Sequence, residues 1–334
     1  MRINAFAASS AGKTLEPFQY ECSDPQEHEV QIRISHCGIC HSDIHLIDND
    51  WKISKYPLVP GHEIVGTVTS VGRSVRHLQQ GQRVGVGWQR SSCLECEWCI
   101  RGQENLCEKN EPVTVTHYGG FASHICVDSR FAFPVPDKLS SENAAPLLCG
   151  GITVFTPLRL YNVTPLMKVG VIGVGGLGHL ALQFAAAFGC EVTAFSSSAG
   201  KEKETRELGA SNFVLSSDQK LMQDCARSQD MLLVTATVDL DWMSFINTLR
   251  PNGKICFLGA IPSPISVPAF TLLGSNLSLC GSNIGGRPMI SDMLQFAARH
   301  DIKARVEVVS MGSVNEAIER VRNNKARYRM VLAN

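Results

Sequence analysis

Lys168-Val-Gly-Val-Ile-Gly173-Val-Gly175-Gly176-Leu177-Gly178 is the stretch on which the fold turns. Val169 to Ile172 make the short apolar run expected of a buried strand. Leu177, Leu180, Ala181, Phe184 and Phe188 then recur at helical spacing as far as Gly189. A G-x-G-x-x-G triplet alone is weak evidence, but between a buried strand and an amphipathic helix it predicts a dinucleotide site. Gly173 permits the tight turn, Gly175 lets the backbone approach a pyrophosphate, and Gly178 lets helix and strand pack closely. With Gly176 and Leu177 they present the helix N-terminus to the phosphates.

The segments that follow repeat the alternation. Glu191–Phe195, Asn212–Leu215, Met231–Thr235, Lys254–Leu258 and Leu277–Cys280 read as strands. Lys201–Leu208 and Trp242–Leu249 read as helices, the second leading into a Pro251-Asn-Gly253 turn. Six strands with helical crossovers predict a doubly wound parallel sheet, the Rossmann arrangement, over residues 146–285.

The end of the second strand bears on which dinucleotide binds. An NAD site usually offers Asp or Glu about 20 residues past the glycines to hold the ribose 2′-hydroxyl. Here the chain reads Phe195-Ser196-Ser197-Ser198-Ala-Gly-Lys201. Three hydroxyls and an ammonium suit a 2′-phosphate, and no carboxylate repels it, so the expected cofactor is NADP(H).

Upstream, short apolar runs such as Val30–Ser35, Ile64–Thr69 and Arg83–Val86 alternate with turn residues, predicting a β-rich, barrel-like domain. The texture changes near Pro134-Val-Pro-Asp137. The tail, with a helical stretch at Ile290–His300 and a strand at Ala304–Val309, is expected to return to that first domain. The expected division is residues 1–145 with 286–334, and 146–285.

Two cysteine-bearing stretches point to metal. Cys93, Cys96, Cys99 and Cys107 are spaced C-x2-C-x2-C-x7-C, so one loop can wrap four sulfurs around a tetrahedral ion and leave no open position. Disulfides would need an oxidising compartment. An iron–sulfur cluster more often carries Pro after its last Cys, where this chain has Glu108. Structural zinc is the reading that fits. The second stretch is Cys37-Gly-Ile-Cys40-His41-Ser42-Asp43-Ile-His45, with Gly61-His62-Glu63 beyond it. Thiolate and imidazole are zinc ligands, and a catalytic zinc keeps three of them plus an open position. Spacing alone leaves open which of Cys37, Cys40, His41, His45 and His62 bind.

Composition bounds the rest. The 334 residues suit two domains. Lys plus Arg and Asp plus Glu each total 31, so nothing suggests nucleic acid or an anionic membrane as a partner. The N-terminal residues lack a signal-peptide core, and no apolar run reaches about 18 residues. Of the 13 cysteines, Cys126, Cys190, Cys225, Cys256 and Cys280 lie in apolar surroundings and are expected to be buried free thiols. A cytoplasmic location is expected.

C-H-S-D-x-H, G-H-E-x-x-G, the four-cysteine loop, Leu147-Leu-Cys149-Gly-Gly-Ile-Thr153 and Gly-Val-Gly-Gly-Leu-Gly-His179, in that order, resemble the zinc-dependent medium-chain alcohol dehydrogenases. The Leu147–Thr153 stretch and the serine-rich strand end look most like the cinnamyl alcohol dehydrogenase group, and within it like bacterial NADPH-dependent aldehyde reductases of broad range. Lys325-Ala-Arg-Tyr-Arg329 also fits. The resemblance spans essentially the whole chain. It implies a GroES-like catalytic domain beside the Rossmann domain, two zinc ions per subunit, reversible reduction of aldehydes to primary alcohols, and a homodimer.

Carried over by residue, Cys40, His62 and Cys149 correspond to the catalytic zinc ligands, with Glu63 the acid that coordinates when water leaves. Asp43 corresponds to the carboxylate that orients His62. Ser42 and His45 match the proton relay, His41 a residue near the pyrophosphate, and Thr153 a nicotinamide contact. Trp51 and Trp88 fall where relatives line the substrate cleft. Cys37 matches no ligand and reads as a buried thiol. Gln82 stands where many relatives have Asp, in a turn that touches no catalytic role. A zinc-free quinone or enone reductase on the same fold would lack the Cys40/His62/Cys149 set, and an NADPH-binding protein without activity would have no use for a relay.

Overall fold

A computed structural model of the chain describes residues 1–115 and 117–334. They form two compact units, residues 1–152 with 285–334, and residues 153–284.

The second unit is a six-stranded sheet, all parallel. Its spatial order is Asn212–Leu215, Glu191–Ser196, Lys168–Ile172, Gln229–Val234, Leu249–Phe257, Ser278–Gly281. That order reverses direction at Lys168–Ile172, so the doubly wound expectation holds, and the reversal is where such sheets open a ligand crevice. The helix Gly178–Ala187 buries Leu180, Ala181, Phe184 and Ala185 and stops before Gly189, whose φ is +86°.

Two details differ from the sequence reading. The helix Trp242–Ile246 is shorter than expected, and the strand that follows begins at Leu249. Pro251-Asn-Gly253 sits inside that strand, because a register shift between Gln229 and Met231 opposite it absorbs the turn residues. The helix expected from Lys201 starts as a single 3-10 turn, Ala199–Lys201, and becomes α-helical at Glu202–Glu207.

The first unit is β-rich. Its long strand Glu29–Ile39 pairs antiparallel with Glu63–Val71 along one side. The other side takes His124–Asp128 over the first half and Arg329–Ala333 over the second. Val306–Ser310 pairs parallel with Arg329–Ala333, so the tail completes this sheet. The core beneath it includes Ile3, Val30, Ile32, Leu46, Ile64, Val84 and Phe121.

All 13 cysteines are unpaired. Of the five expected to be buried, Cys190 and Cys256 are, whereas Cys126, Cys225 and Cys280 are half-buried. Cys225 caps the end of the short helix Gln219–Asp224, and Cys280 lies on the sheet's edge strand. Among the described residues no helix is long and apolar enough to cross a membrane.

Candidate metal centres and nucleotide loop

Cys40 is the extended residue that starts the helix His41–Asp48. The next turn supplies Asp43, whose Oδ2 accepts the Cys40 N–H at 2.8 Å. Its other oxygen, Oδ1, accepts the Gly61 N–H at 2.9 Å and faces His62 Nδ1 at 3.0 Å. One fully buried carboxylate therefore ties the Cys40 turn to the Gly61-His62-Glu63 strand entry. With Nδ1 engaged, His62 Nε2 is left facing Cys149 Sγ at 3.2 Å. Cys149 reaches this point from a wider, π-helical turn, Leu147–Gly151, a local form found mostly at functional sites.

Ligand atoms of Cys40, His62, Glu63 and Cys149 lie within 4.8 Å of one another. The electrostatics of this cluster suit a bound cation. The hydrogen bond between Cys40 and Cys149 sets the Cys40 thiol well below its usual range and Cys149 well above it. Burial opposes charge on His62, but the Asp43 carboxylate and the Cys40 sulfur outweigh it and hold the imidazole's affinity for protons up. Burial lifts Glu63 to about 7 despite the opposing Arg329 charge, and Glu63 Oε2 has no hydrogen-bond partner. Two sulfurs, an imidazole nitrogen and a spare carboxylate oxygen fit a zinc ion. Cys37 stands outside this set, fully buried with Sγ 3.6 Å from Gly38 O.

Around the cluster, Ser42 Oγ lies 3.6 Å from Cys40 Sγ. His45 Nδ1 lies 2.7 Å from Asp50 Oδ2, near the surface. The His45 ring stacks on Trp51 at 5.2 Å, Trp51 meets Trp88 edge-on at 6.3 Å, and Trp88 meets His62 at 5.0 Å. His41 is exposed at the start of the helix.

The second group, Cys93, Cys96, Cys99 and Cys107, also falls within 4.8 Å. Cys93 Sγ lies 3.8 Å from Cys99 Sγ and 3.5 Å from Cys107 Sγ. Backbone N–H groups of Glu95 and Cys96 hold the Cys93 thiol down to about 6, favouring the thiolate a metal needs. Four sulfurs with no fifth donor fit a closed structural zinc site.

In the second unit, Gly173 takes a φ of +86°, and a Cβ on Gly178 would lie 2.0 Å from Gly173 O. Thr235 Oγ1 donates to that same carbonyl at 2.8 Å. A Cβ on Gly175 would meet nothing within 4 Å, so its face is open to a ligand. Lys201 Nζ donates to Val174 O at 2.5 Å, which brings the ammonium onto the glycine loop. Ser196 Oγ accepts the Ser198 N–H at 3.2 Å, and Ser197 and Ser198 are exposed. The nearest carboxylate in sequence, Glu202, is engaged by Arg206 at 2.9 Å. This cradle fits a dinucleotide carrying a 2′-phosphate. Thr153 is buried in the helix Ile152–Leu160.

Sequence reasoning passed over four residues that bear on these sites: Arg329, Asp50, Glu104 and Thr235. Asp50 was within reach, five residues past His45 and just beyond the end of its helix. Glu104 lies inside the four-cysteine loop, fully buried, and accepts from Arg287 N and Nε at 2.9 and 2.7 Å. Arg329 ends a stretch that fitted the resemblance but gave it no role, and Thr235 carried no local signal.

Known proteins bear out the resemblance. Residues 26–137 match the alcohol dehydrogenase GroES-like domain family, and residues 176–299 match the zinc-binding dehydrogenase family. An aldehyde reductase of Synechocystis is 44% identical over 331 residues, 99% of this chain and 98% of the relative. A cinnamyl alcohol dehydrogenase of Sorghum bicolor superposes with a TM-score of 0.96 at 38% identity, covering 100% of this chain and 98% of that one. A cinnamyl alcohol dehydrogenase of Helicobacter pylori, solved with NADP(H), gives 0.91 at 31% identity over 100% and 98%. The chain is an oxidoreductase of the zinc-dependent medium-chain alcohol dehydrogenase family, in the group that holds aldehyde reductases and cinnamyl alcohol dehydrogenases.

Proposed function

We propose that this protein reduces aldehydes to primary alcohols, reversibly, with NADPH as hydride donor and zinc at the Cys40–His62–Cys149 cluster. The observation that carries this reading is that cluster, two sulfurs and an imidazole brought together from three separate segments with Glu63 Oε2 left unpartnered. When bound there, zinc supplies Lewis acidity toward the carbonyl oxygen. The reduced nicotinamide supplies the hydride.

The chain's own residues do the rest. Cys40, His62 and Cys149 hold the metal, Asp43 fixes the imidazole, and Glu63 is a reserve ligand. Ser42 passes a proton without keeping charge, and His45, an imidazole that borders solvent, supplies it to the oxygen of the reduced substrate. Trp51 and Trp88 form an apolar wall beside His62 that suits the body of an aldehyde. Gly173, Gly175, Gly176, Leu177 and Gly178 take the pyrophosphate, with His41 nearby and Thr153 on the nicotinamide side. Ser196, Ser197, Ser198 and Lys201 take the 2′-phosphate. Cys93, Cys96, Cys99 and Cys107 hold a structural zinc.

We further propose a cytoplasmic homodimer. Its unpaired thiols suit a reducing compartment. The outer edge of Ser278–Gly281, together with exposed Phe270 and Leu273, suits pairing with a second copy.

Initial rates on aromatic and aliphatic aldehydes with NADPH and NADH test this reading. A strong NADPH preference is expected. Equal use of NADH overturns the phosphate assignment, and no turnover with either cofactor overturns the activity.

A further inference from the structure

Glu104 belongs to neither group of metal-ligating side chains, yet its carboxylate is fully buried. It opens the short 3-10 turn Glu104–Leu106, just before Cys107. A buried charge is costly unless it is paired and hydrogen-bonded. Glu104 meets both conditions at a single residue of the tail. Its Oε1 accepts from Arg287 Nε at 2.7 Å, and its Oε2 accepts the Arg287 backbone N–H at 2.9 Å. Gln89 Nε2 donates to the Glu104 carbonyl at 2.8 Å and holds the turn's backbone.

Arg287 begins the helix Arg287–Arg299, whose own N-cap, Gly286, has no side chain to offer. Glu104 supplies the cap from outside the helix, placing a carboxylate at its positive end. Glycines permit the close approach: a Cβ on Gly286 would lie 2.0 Å from Gly102 O, and one on Gly102 would lie 2.9 Å from Pro288 Cγ.

Ile290, Met293, Leu294 and Ala297 make the buried face of that helix. Met293 lies about 9 Å along the axis from Arg287, at roughly 1.5 Å per residue. There the helix packs on the π-helical turn Leu147–Gly151, which carries Cys149. A Cβ on Gly151 would stand 3.2 Å from Met293 Sδ. Leu148 is held as closely elsewhere: a Cβ on Gly85 would lie 2.6 Å from its Cδ1, and one on Gly87 would lie 2.7 Å from its carbonyl oxygen. The Asp43 carboxylate fixes Cys40 and His62, but its bonds do not reach Cys149. Packing of the turn therefore sets where the Cys149 sulfur stands.

We propose, on the basis of zinc at the Cys40–His62–Cys149 cluster, that Glu104 is a positioning residue for that metal centre: by seating the helix Arg287–Arg299 through Arg287, it places Met293 and so Cys149. The four-cysteine loop then does more than stabilise the fold, because the residue it contributes bears on a ligand of the other metal group. Close-packed interiors transmit strain, so a helix that loses its cap shifts against the turn it supports. Loss of a group that orients a metal ligand lowers metal affinity by about 10–100-fold, and a link that acts through packing is expected at the low end.

Cobalt(II) in place of the zinc at Cys40–His62–Cys149, with zinc kept on the four cysteines, tests this in the full-length protein. The sulfur-to-cobalt absorption is followed while dipicolinate is titrated as chelator, and the zinc that stays is counted. A shift of that absorption reports the arrangement of the ligands, which a change in folding stability alone does not move. In Glu104→Gln and in Arg287→Met, cobalt is expected to leave at roughly tenfold lower chelator, with a shifted absorption and the zinc retained. Met293→Ala is expected to do the same, and Glu104→Gln/Met293→Ala to add little more, because both act along one path. Turnover does not read the effect, since a site that holds metal more weakly still fills when metal is supplied. If Glu104→Gln also sheds the zinc of the four cysteines, Met293→Ala, outside that loop, decides alone. Variants that match wild type in chelator midpoint and absorption overturn the proposal, as does full additivity in the double variant. A wild type that takes up no cobalt at this cluster overturns the zinc assignment itself, and the proposal with it.

Discussion

Arg329 donates through Nη2 to Glu63 Oε1, and both side chains are buried at the edge of the cysteine–histidine cluster. Burial disfavours the Arg329 charge, but Glu63, then the Cys40 sulfur, hold it in place. The strand opposite Glu63 carries Gly38, where a Cβ would sit 2.0 Å from Glu63 Oε2. The carboxylate therefore lies between a fixed cation and a position that only glycine leaves open. Removing one partner of a buried ion pair costs about 3–5 kcal/mol, because the other charge is left uncompensated. Arg329→Met is expected to lower unfolding stability by about that much, with part regained in Glu63→Gln/Arg329→Met, read by urea unfolding of the single and double variants.

Asp43 serves three donors at once, and Asn in its place can accept through only one oxygen. Asp43→Asn is expected to weaken zinc retention by roughly 10–100-fold, as seen when partners of metal-bound imidazoles are lost. Competition with a chelator, followed by zinc quantification, measures it. Retention equal to wild type would mean that His62 needs no such support.

Cys96→Ser tests the four-cysteine group separately. It is expected to release one zinc per chain and lower the melting temperature, while turnover at low temperature persists. Metal analysis and calorimetry on the same sample read both effects. A variant as heat-stable as wild type would contradict the structural assignment.

At the nucleotide loop, Ser198→Ala with Lys201→Ala removes a hydroxyl and an ammonium from the strand end. KM for NADPH is expected to rise by tenfold or more, since a charge-assisted contact is worth about 1.5–3 kcal/mol, with KM for NADH little changed. An equal rise for both cofactors would remove the 2′-phosphate from that position.

What the sequence made readable was local. Lys168–Gly178 encodes strand, turn and helix within a few residues, and the four-cysteine spacing declares its own geometry, so both could be read without tertiary information. Cys40 and Cys149 lie 109 residues apart, and only resemblance joined them before the structure did. Glu63 and Arg329, 266 apart, meet because the last strand pairs beside the strand that faces Glu63. No pattern in either segment reports that pairing. Pro251-Asn-Gly253 shows the opposite failure: its residues are those of a turn, but a register shift in the sheet keeps them in a strand. Burial of single cysteines was also hidden, because an apolar neighbourhood does not tell an edge strand from a central one.

The most direct test of the account is turnover of an aldehyde with NADPH as zinc is withdrawn and returned. Chelation that empties the Cys40–His62–Cys149 cluster, verified by metal analysis, should abolish reduction while NADPH still binds, and added zinc should restore it. Reduction that continues at full rate after verified loss of that zinc would contradict the central claim and favour a metal-free reductase on this fold.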